Sequence, residues 1–271
     1  MRWYEITINL PLVLLGTVYD FLWLYANGLN VKKEKNNFLI KAYLFSSSPE
    51  SFLKKFNKFL NPLVKRHNVS YPILTIKNPS NPINDFLLVP IPNSYIPSFG
   101  IPILLQRGKA FGNGRHPCTI YCLEALKDIF YEKFNDYKVL DAGTGTGILS
   151  IGAAKLGAKE IIGVEINPES VKEAQENVKL NNLTDKIKIL HCSVTEIKGE
   201  FNLIFANLYG ILLKQIAPIL VKQLTSGGWL VLGGMIVPDD DVVVSIFNKF
   251  GLKEFKRFQD EEWSVAILKK L

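Results

Sequence analysis

From Lys138 to the end of the chain, apolar runs of strand length alternate with segments of helical period. The strand-like runs cover 138–142, 160–165, 187–191, 201–206, 228–234, 252–259 and 263–269, and the helix-like segments cover 148–156, 169–181, 210–223 and 239–250. This alternation predicts an α/β fold with a doubly wound sheet and right-handed crossovers. Only Asp260-Glu261-Glu262 separates the last two runs, so they predict a hairpin, and one strand of the sheet must run antiparallel. The front of the chain reads differently. Trp3–Asn9 alternates as a strand, Leu12–Tyr25 is a helix stopped at Asn27-Gly28, and Asn30–Lys35 with Asn37–Phe45 is a hairpin turning near Asn36. Ser48-Pro49-Glu50 opens a second helix whose apolar stripe is Phe52, Phe56, Phe59, Leu60 and Leu63, with Lys54, Lys55 and Lys58 facing out. These elements predict a small α+β domain over 1–70, followed by a Pro- and Asn-rich linker over 71–85. The short strands Phe86–Pro90 and Ile101–Gln106, and a helix from Pro117 to about Phe134, are assigned with the second domain, 86–271.

Composition changes this picture little. A chain of 271 residues, 48% apolar, can bury one good core and a second smaller one. Cys118, Cys122 and Cys192 suit a reducing compartment, and Cys118 and Cys122 with His116 lack a fourth metal ligand, so no metal is expected. The apolar start is interrupted by Glu5 and Asp20 and has no convincing cleavage site, so a cytoplasmic protein without membrane attachment is expected. Charge placement says more. Residues 1–85 hold 11 Lys/Arg against 5 Asp/Glu, a net +6 of the total +7. A basic front module suits an RNA-bearing or acidic partner; the plainer alternative is a solvated lysine face.

Candidate chemistry gathers at the carboxyl ends of the second-domain strands, where ligands of such sheets bind. Asp141-x-Gly143-x-Gly145-x-Gly147 joins a strand to a helix, and glycines there allow tight turns and a ligand lying against main-chain N–H groups. Their spacing differs from the G-x-G-x-x-G of dinucleotide sites. Eighteen residues after Gly147, Glu165 ends the next strand and can accept both hydroxyls of a ribose; otherwise it is an exposed strand-end carboxylate. Ala206-Asn207-Leu208-Tyr209 ends the fourth strand. The Asn207 side-chain oxygen and the Leu208 carbonyl can accept the N–H groups of an amine, and Tyr209 can wall the site by stacking or cation–π contact. His116, before Pro117 at a helix entrance, reads as a structural or lid residue rather than a general base, with Gly112 and Gly114 allowing the loop to fold over a ligand. His67 and His191 are assigned no chemistry.

Ala110-Phe111-Gly112-x-Gly114-x-His116-Pro117-x-Thr119, the glycine loop, Ala206-Asn207-Leu208 and Glu261-Glu262-Trp263 together resemble the PrmA family of class I S-adenosylmethionine-dependent methyltransferases. Members methylate lysine and N-terminal amino groups of ribosomal protein L-eleven (L11). The resemblance implies a seven-stranded sheet with an antiparallel last strand, an N-terminal substrate-recognition domain, and S-adenosyl-L-methionine as cofactor. It implies cofactor contacts at Thr119, Gly143, Glu165 (where the family more often has Asp) and Asn207, the glycine-loop pattern adds Asp141 (toward the methionyl end), Gly145 and Gly147, and the reading of the strand end gives catalytic roles to Asn207, Leu208 and Tyr209. It further implies a ribosomal protein partner; a monomer without stable nucleic-acid or membrane binding is expected beside it. Gln106-Arg107-Gly108 stands where the family usually reads Asp-Pro-Gly, and the front domain keeps the element order with little sequence likeness. Other readings are a lysine methyltransferase for another protein, an RNA base methyltransferase, or a degenerate methyltransferase fold that only binds RNA or protein. The RNA base reading is weakened because Asn207-Leu208-Tyr209 lacks the prolines common in such sites.

Overall fold

The computed structural model describes residues 2–35, 37–70, 72–77, 85–92, 95–106, 108–130 and 136–271. Most of the expected linker, Asn36, Arg107 and the last residues of the helix expected to reach Phe134 lie outside the described residues. The chain divides into two compact units, 1–107 and 108–271.

The first unit is a sheet of six strands with two helices. Its strands are β1 (Arg2–Pro11), β2 (Gly28–Glu34), β3 (Asn37–Ser46), β4 (Ile73–Lys77), β5 (Phe86–Ile91) and β6 (Ile101–Gln106), in the order β4-β1-β3-β2-β5-β6. The helices are α1 (Leu12–Tyr25) and α2 (Glu50–His67). As the stripe predicts, Phe56 and Leu60 are fully buried, and Phe21 of α1 stacks on Phe59 with centroids 4.3 Å apart.

Two expectations are corrected here. The segment read as linker contains β4, which pairs antiparallel with β1 through Ile6↔Ile76. The strands assigned to the second domain, β5 and β6, belong to the first sheet: β5 meets β2 at Leu29↔Leu88 and runs parallel to β6. The division therefore falls after residue 107, not 85. Short apolar strands bounded by proline carry no local mark of the ladder they join.

The second unit carries the expected alternation: α3 (Pro117–Phe130), β7 (Lys138–Ala142), α4 (Ile148–Lys155), β8 (Glu160–Glu165), α5 (Pro168–Leu180), β9 (Ile187–His191), β10 (Phe201–Asn207), α6 (Gly210–Gln223), β11 (Leu224–Ile236), α7 (Val237–Lys249), β12 (Leu252–Gln259) and β13 (Trp263–Lys270). The order is β12-β13-β11-β10-β7-β8-β9, with β13 antiparallel to both neighbours. The central strands are covered on both faces, which is why they read as unbroken apolar runs: Leu203, Ile204, Phe205 and Ala206 of β10 are all fully buried. β7 and β10 lie side by side, Ala206 opposite Ala142, and the chain leaves them in opposite directions across the sheet. That switch point opens a crevice beyond their carboxyl ends. No helix among the described residues is long and apolar enough to cross a membrane.

Candidate functional site

At the end of β7 the backbone turns through Gly143, Gly145 and Gly147, all in the left-handed region (φ +77°, +55° and +83°). A Cβ on Gly145 would overlap the Phe111 carbonyl oxygen, and one on Gly143 would lie 2.5 Å from the Leu208 side chain. The N–H groups of this loop are all donated within the protein. Those of Gly143 and Thr144 go to the Val164 carbonyl, that of Gly145 to Glu165 Oε2, that of Thr146 to the Phe111 carbonyl, and that of Gly147 to the Thr144 carbonyl. A ligand lying against main-chain N–H groups would therefore use those at the start of α4, not those of 143–147. Residues 143–147 offer no spare donors of their own; they accommodate a ligand by lacking side chains.

Asp141 has a structural role in the loop. It is buried, and its Oδ2 accepts the Thr144 hydroxyl (2.7 Å), the Ser150 hydroxyl (2.7 Å) and the Ser150 N–H (3.2 Å). That carboxylate oxygen ties the loop to the first turn of α4. Burial pushes its pKa above the usual carboxylate value, opposed by these hydrogen bonds.

Glu165 stands at the end of β8, beside the loop. Its Oε1 accepts the N–H groups of Ile166 (2.8 Å) and Asn167 (3.0 Å), and its Oε2 that of Gly145 (3.2 Å). A carboxylate has about four acceptor positions, so these three bonds fix its orientation and leave capacity for a ligand. Ile166 beside it is 72% exposed, and its carbonyl accepts from His191 Nε2 at 3.0 Å.

The segment 108–116 lies across the glycine loop. Thr146 donates its N–H to Phe111 (2.9 Å) and its hydroxyl to the Gly112 carbonyl (2.8 Å), while Glu173 Oε2 accepts the N–H groups of Lys109 and Ala110. His116 caps α3: its carbonyl accepts the Thr119 N–H and its Nδ1 the Cys118 N–H. Burial lowers its pKa, and a ring nitrogen that accepts a bond suits the neutral form. Burial also pushes the Cys118 thiol up to about 12, so it stays protonated at neutral pH.

Two buried side-chain oxygens on these elements have no protein hydrogen-bond partner: Thr119 Oγ1 in the first turn of α3, and Asn207 Oδ1 at the end of β10. Asn207 sits opposite Gly233 of β11, where a Cβ would lie 2.6 Å from its Oδ1 and 3.0 Å from Cys122 Sγ. The next residue, Leu208, donates its N–H to the Gly233 carbonyl (3.1 Å), and Tyr209 at the head of α6 is 70% exposed. The sequence-predicted residues thus gather along the carboxyl ends of β7, β8 and β10 and the start of α3. Glu173, Tyr121 and Asp260 were not singled out from sequence. Tyr121 donates to Asp260 Oδ2 at 2.8 Å across 139 positions, and no local pattern announces such a partner.

A seven-stranded sheet with this order, one antiparallel strand and a glycine loop at its switch point define a class I methyltransferase. Comparison with known proteins narrows the class. The family model "Ribosomal protein L11 methyltransferase (PrmA)" matches residues 77–271. The ribosomal protein L11 methyltransferase of Geotalea uraniireducens is 30% identical over 305 residues, covering 97% of this chain and 96% of that protein. That of Geotalea daltonii is 31% identical over 307 residues, covering 99% and 98%. The crystal structure of ribosomal protein L11 methylase from Lactobacillus delbrueckii subsp. bulgaricus matches with TM-score 0.62 and 28% identity, covering 69% of this chain and 95% of that one. The chain belongs to the ribosomal protein L11 methyltransferase (PrmA) family.

Proposed function

We propose that the chain is an S-adenosylmethionine-dependent protein N-methyltransferase acting on lysine and N-terminal amino groups of ribosomal protein L11. The observation that carries this reading is the pair of buried, unpartnered oxygens, Thr119 Oγ1 and Asn207 Oδ1, beside a glycine loop whose own N–H groups are all donated within the protein. A buried acceptor without a partner costs about 1–3 kcal/mol, so it points to a ligand that supplies the missing bond. A phosphate-free nucleoside fits such a loop, and an amine fits such an acceptor.

The residues present fit S-adenosylmethionine. Glu165 accepts the ribose hydroxyls, Gly143 and Gly145 let the nucleoside pass close to the backbone, and exposed Ile166 offers an apolar face to the base. Thr119 would supply a hydroxyl. Asp141 acts indirectly, by holding the loop. When bound, the cofactor supplies an electrophilic methyl on a sulfonium. Asn207 Oδ1 and the Leu208 carbonyl would accept the N–H groups of the acceptor amine and so orient its lone pair. A free lysine has a pKa near 10.4, so its ammonium loses a proton to water before transfer. No side chain in the site needs to act as a strong base. Exposed Tyr209 borders the entry for the acceptor chain. The basic excess of residues 1–85 supports a substrate-recognition role for the first unit.

The test is transfer of labelled methyl from S-adenosylmethionine into ribosomal proteins of a strain lacking the modification, followed by mass mapping. The expected result is label on amino groups of L11. Label in RNA, or in another protein with L11 unlabelled, would reject the assignment.

A further inference from the structure

Glu173, a half-buried side chain on α5, reaches away from its own helix to the backbone of 108–110. Its Oε2 accepts the successive N–H groups of Lys109 (3.0 Å) and Ala110 (3.1 Å). Successive amides aimed at one point form an anion-binding concavity, and here the protein fills it with its own carboxylate. Gly108 belongs to the same arrangement, because a Cβ there would overlap the Glu173 carboxyl group. Gln106-Arg107-Gly108 contains no acid. The Asp-Pro-Gly usual in the family at this place would offer one, and an Asp side chain accepts N–H groups two residues on. Glu173 supplies from α5 a carboxylate that the local sequence lacks.

The same face of α5 also meets the glycine loop directly. Asn177, four residues on and fully buried, donates its Nδ2 to the Thr146 carbonyl at 2.9 Å. Thr146 in turn gives its N–H to the Phe111 carbonyl and its hydroxyl to the Gly112 carbonyl. So α5 holds Thr146 twice, once through Asn177 and once through the segment that Glu173 anchors.

We propose that Glu173 is a positioning residue for cofactor capture: by anchoring Lys109 and Ala110 it keeps the 108–112 segment docked, and the glycine loop in its binding shape, before S-adenosylmethionine arrives. The proposal rests on the S-adenosylmethionine reading above and adds the residue that sets how readily the empty site accepts the cofactor. Glu173 acts through the backbone and touches neither cofactor nor acceptor in this role.

The consequence is kinetic. A variant whose segment is docked about a tenth of the time binds cofactor about tenfold more weakly. Because the docked form is the one that binds, the loss falls on association, and the bound complex dissociates as before. Gly108 gives an independent handle on the same contact. A methyl at 108 displaces the end of a flexible side chain, so it removes the Glu173 bonds while leaving Glu173 itself in place.

The test is stopped-flow binding of S-adenosylmethionine, with steady-state methylation of ribosomal protein L11, by the full-length enzyme. It compares wild type, Glu173→Ala, Glu173→Gln, Gly108→Ala and the double variant Gly108→Ala with Glu173→Ala. Glu173→Ala should slow association about tenfold and raise the cofactor KM equally. Dissociation, kcat at saturating cofactor and the KM for L11 should stay within about twofold. Glu173→Gln, which keeps an acceptor oxygen, should recover most of the association rate. Gly108→Ala should reproduce Glu173→Ala, and the double variant should be no worse than either single one, since both remove one contact. Unchanged association in Glu173→Ala would overturn the proposal, as would additive losses in the double variant. Faster dissociation with unchanged association would also overturn it, by making Glu173 a direct cofactor contact. A wild-type enzyme that binds no S-adenosylmethionine would instead overturn the underlying reading.

Discussion

Replacing Gly145 by alanine tests the most constrained point of the site. Its φ of +55° costs an L-residue roughly 1 kcal/mol or more. The added Cβ would overlap the Phe111 carbonyl oxygen, a backbone atom that can move only by giving up its 2.9 Å bond from the Thr146 N–H. That bond is worth about 1 kcal/mol. Together the two effects come to about 2–3 kcal/mol, which in a unit of this size lowers Tm by roughly 5–10 °C. Because the displaced segment lies across the glycine loop, S-adenosylmethionine affinity should also fall by about tenfold or more. Gly227→Ala is the internal control. Its φ is +72° but nothing lies within 4 Å of where the new methyl would stand, so it incurs the strain alone. Calorimetric melting and titration of cofactor into both variants separate the effects. If Gly145→Ala matches Gly227→Ala in both Tm and affinity, the contact with Phe111 has no energetic weight and the cradle is misplaced.

Asp141→Ala leaves the hydroxyls of Thr144 and Ser150 and the Ser150 N–H short of a buried acceptor, and should cost about 3–5 kcal/mol in urea unfolding. Burial raises the pKa of Asp141, so the folded state holds this proton more tightly than the unfolded chain. The resulting stability is complete below the ordinary carboxylate range and is lost as pH rises through the raised folded value. Asp141→Asn should lack that part of the slope in unfolding measured between about pH 3 and 7; an unchanged slope would contradict it. Asn207→Ala should lower kcat about 100-fold with a smaller effect on cofactor affinity, and unaltered single-turnover rates would remove it from the acceptor site. A chain beginning at Gly108 should still bind S-adenosylmethionine but methylate L11 far more slowly, since the first unit is read as the recognition element. Full-rate methylation by that fragment would deny the first unit its role.

What the sequence determined by itself is whatever local sterics and periodicity can express. The alternation after Lys138, the terminal hairpin and the fully apolar central strands follow from burial on one or both faces, and the structure repeats their bounds within a few residues. The glycine loop, Glu165 and Asn207 could be placed at strand ends because the pattern already marks those ends. Tertiary structure decided the partners. Whether β5 and β6 join the first or the second sheet depends on ladder pairing with β2, which no feature of 86–106 encodes locally. Asp141 turned inward because Thr144 and Ser150 meet it only once the loop closes onto α4. The glycine N–H groups found acceptors on β8 and in the 108–116 segment, and the Tyr121–Asp260 bond spans 139 positions. A hydrogen bond between distant residues is specified by the packing of whole elements, so it becomes visible only when those elements are in place.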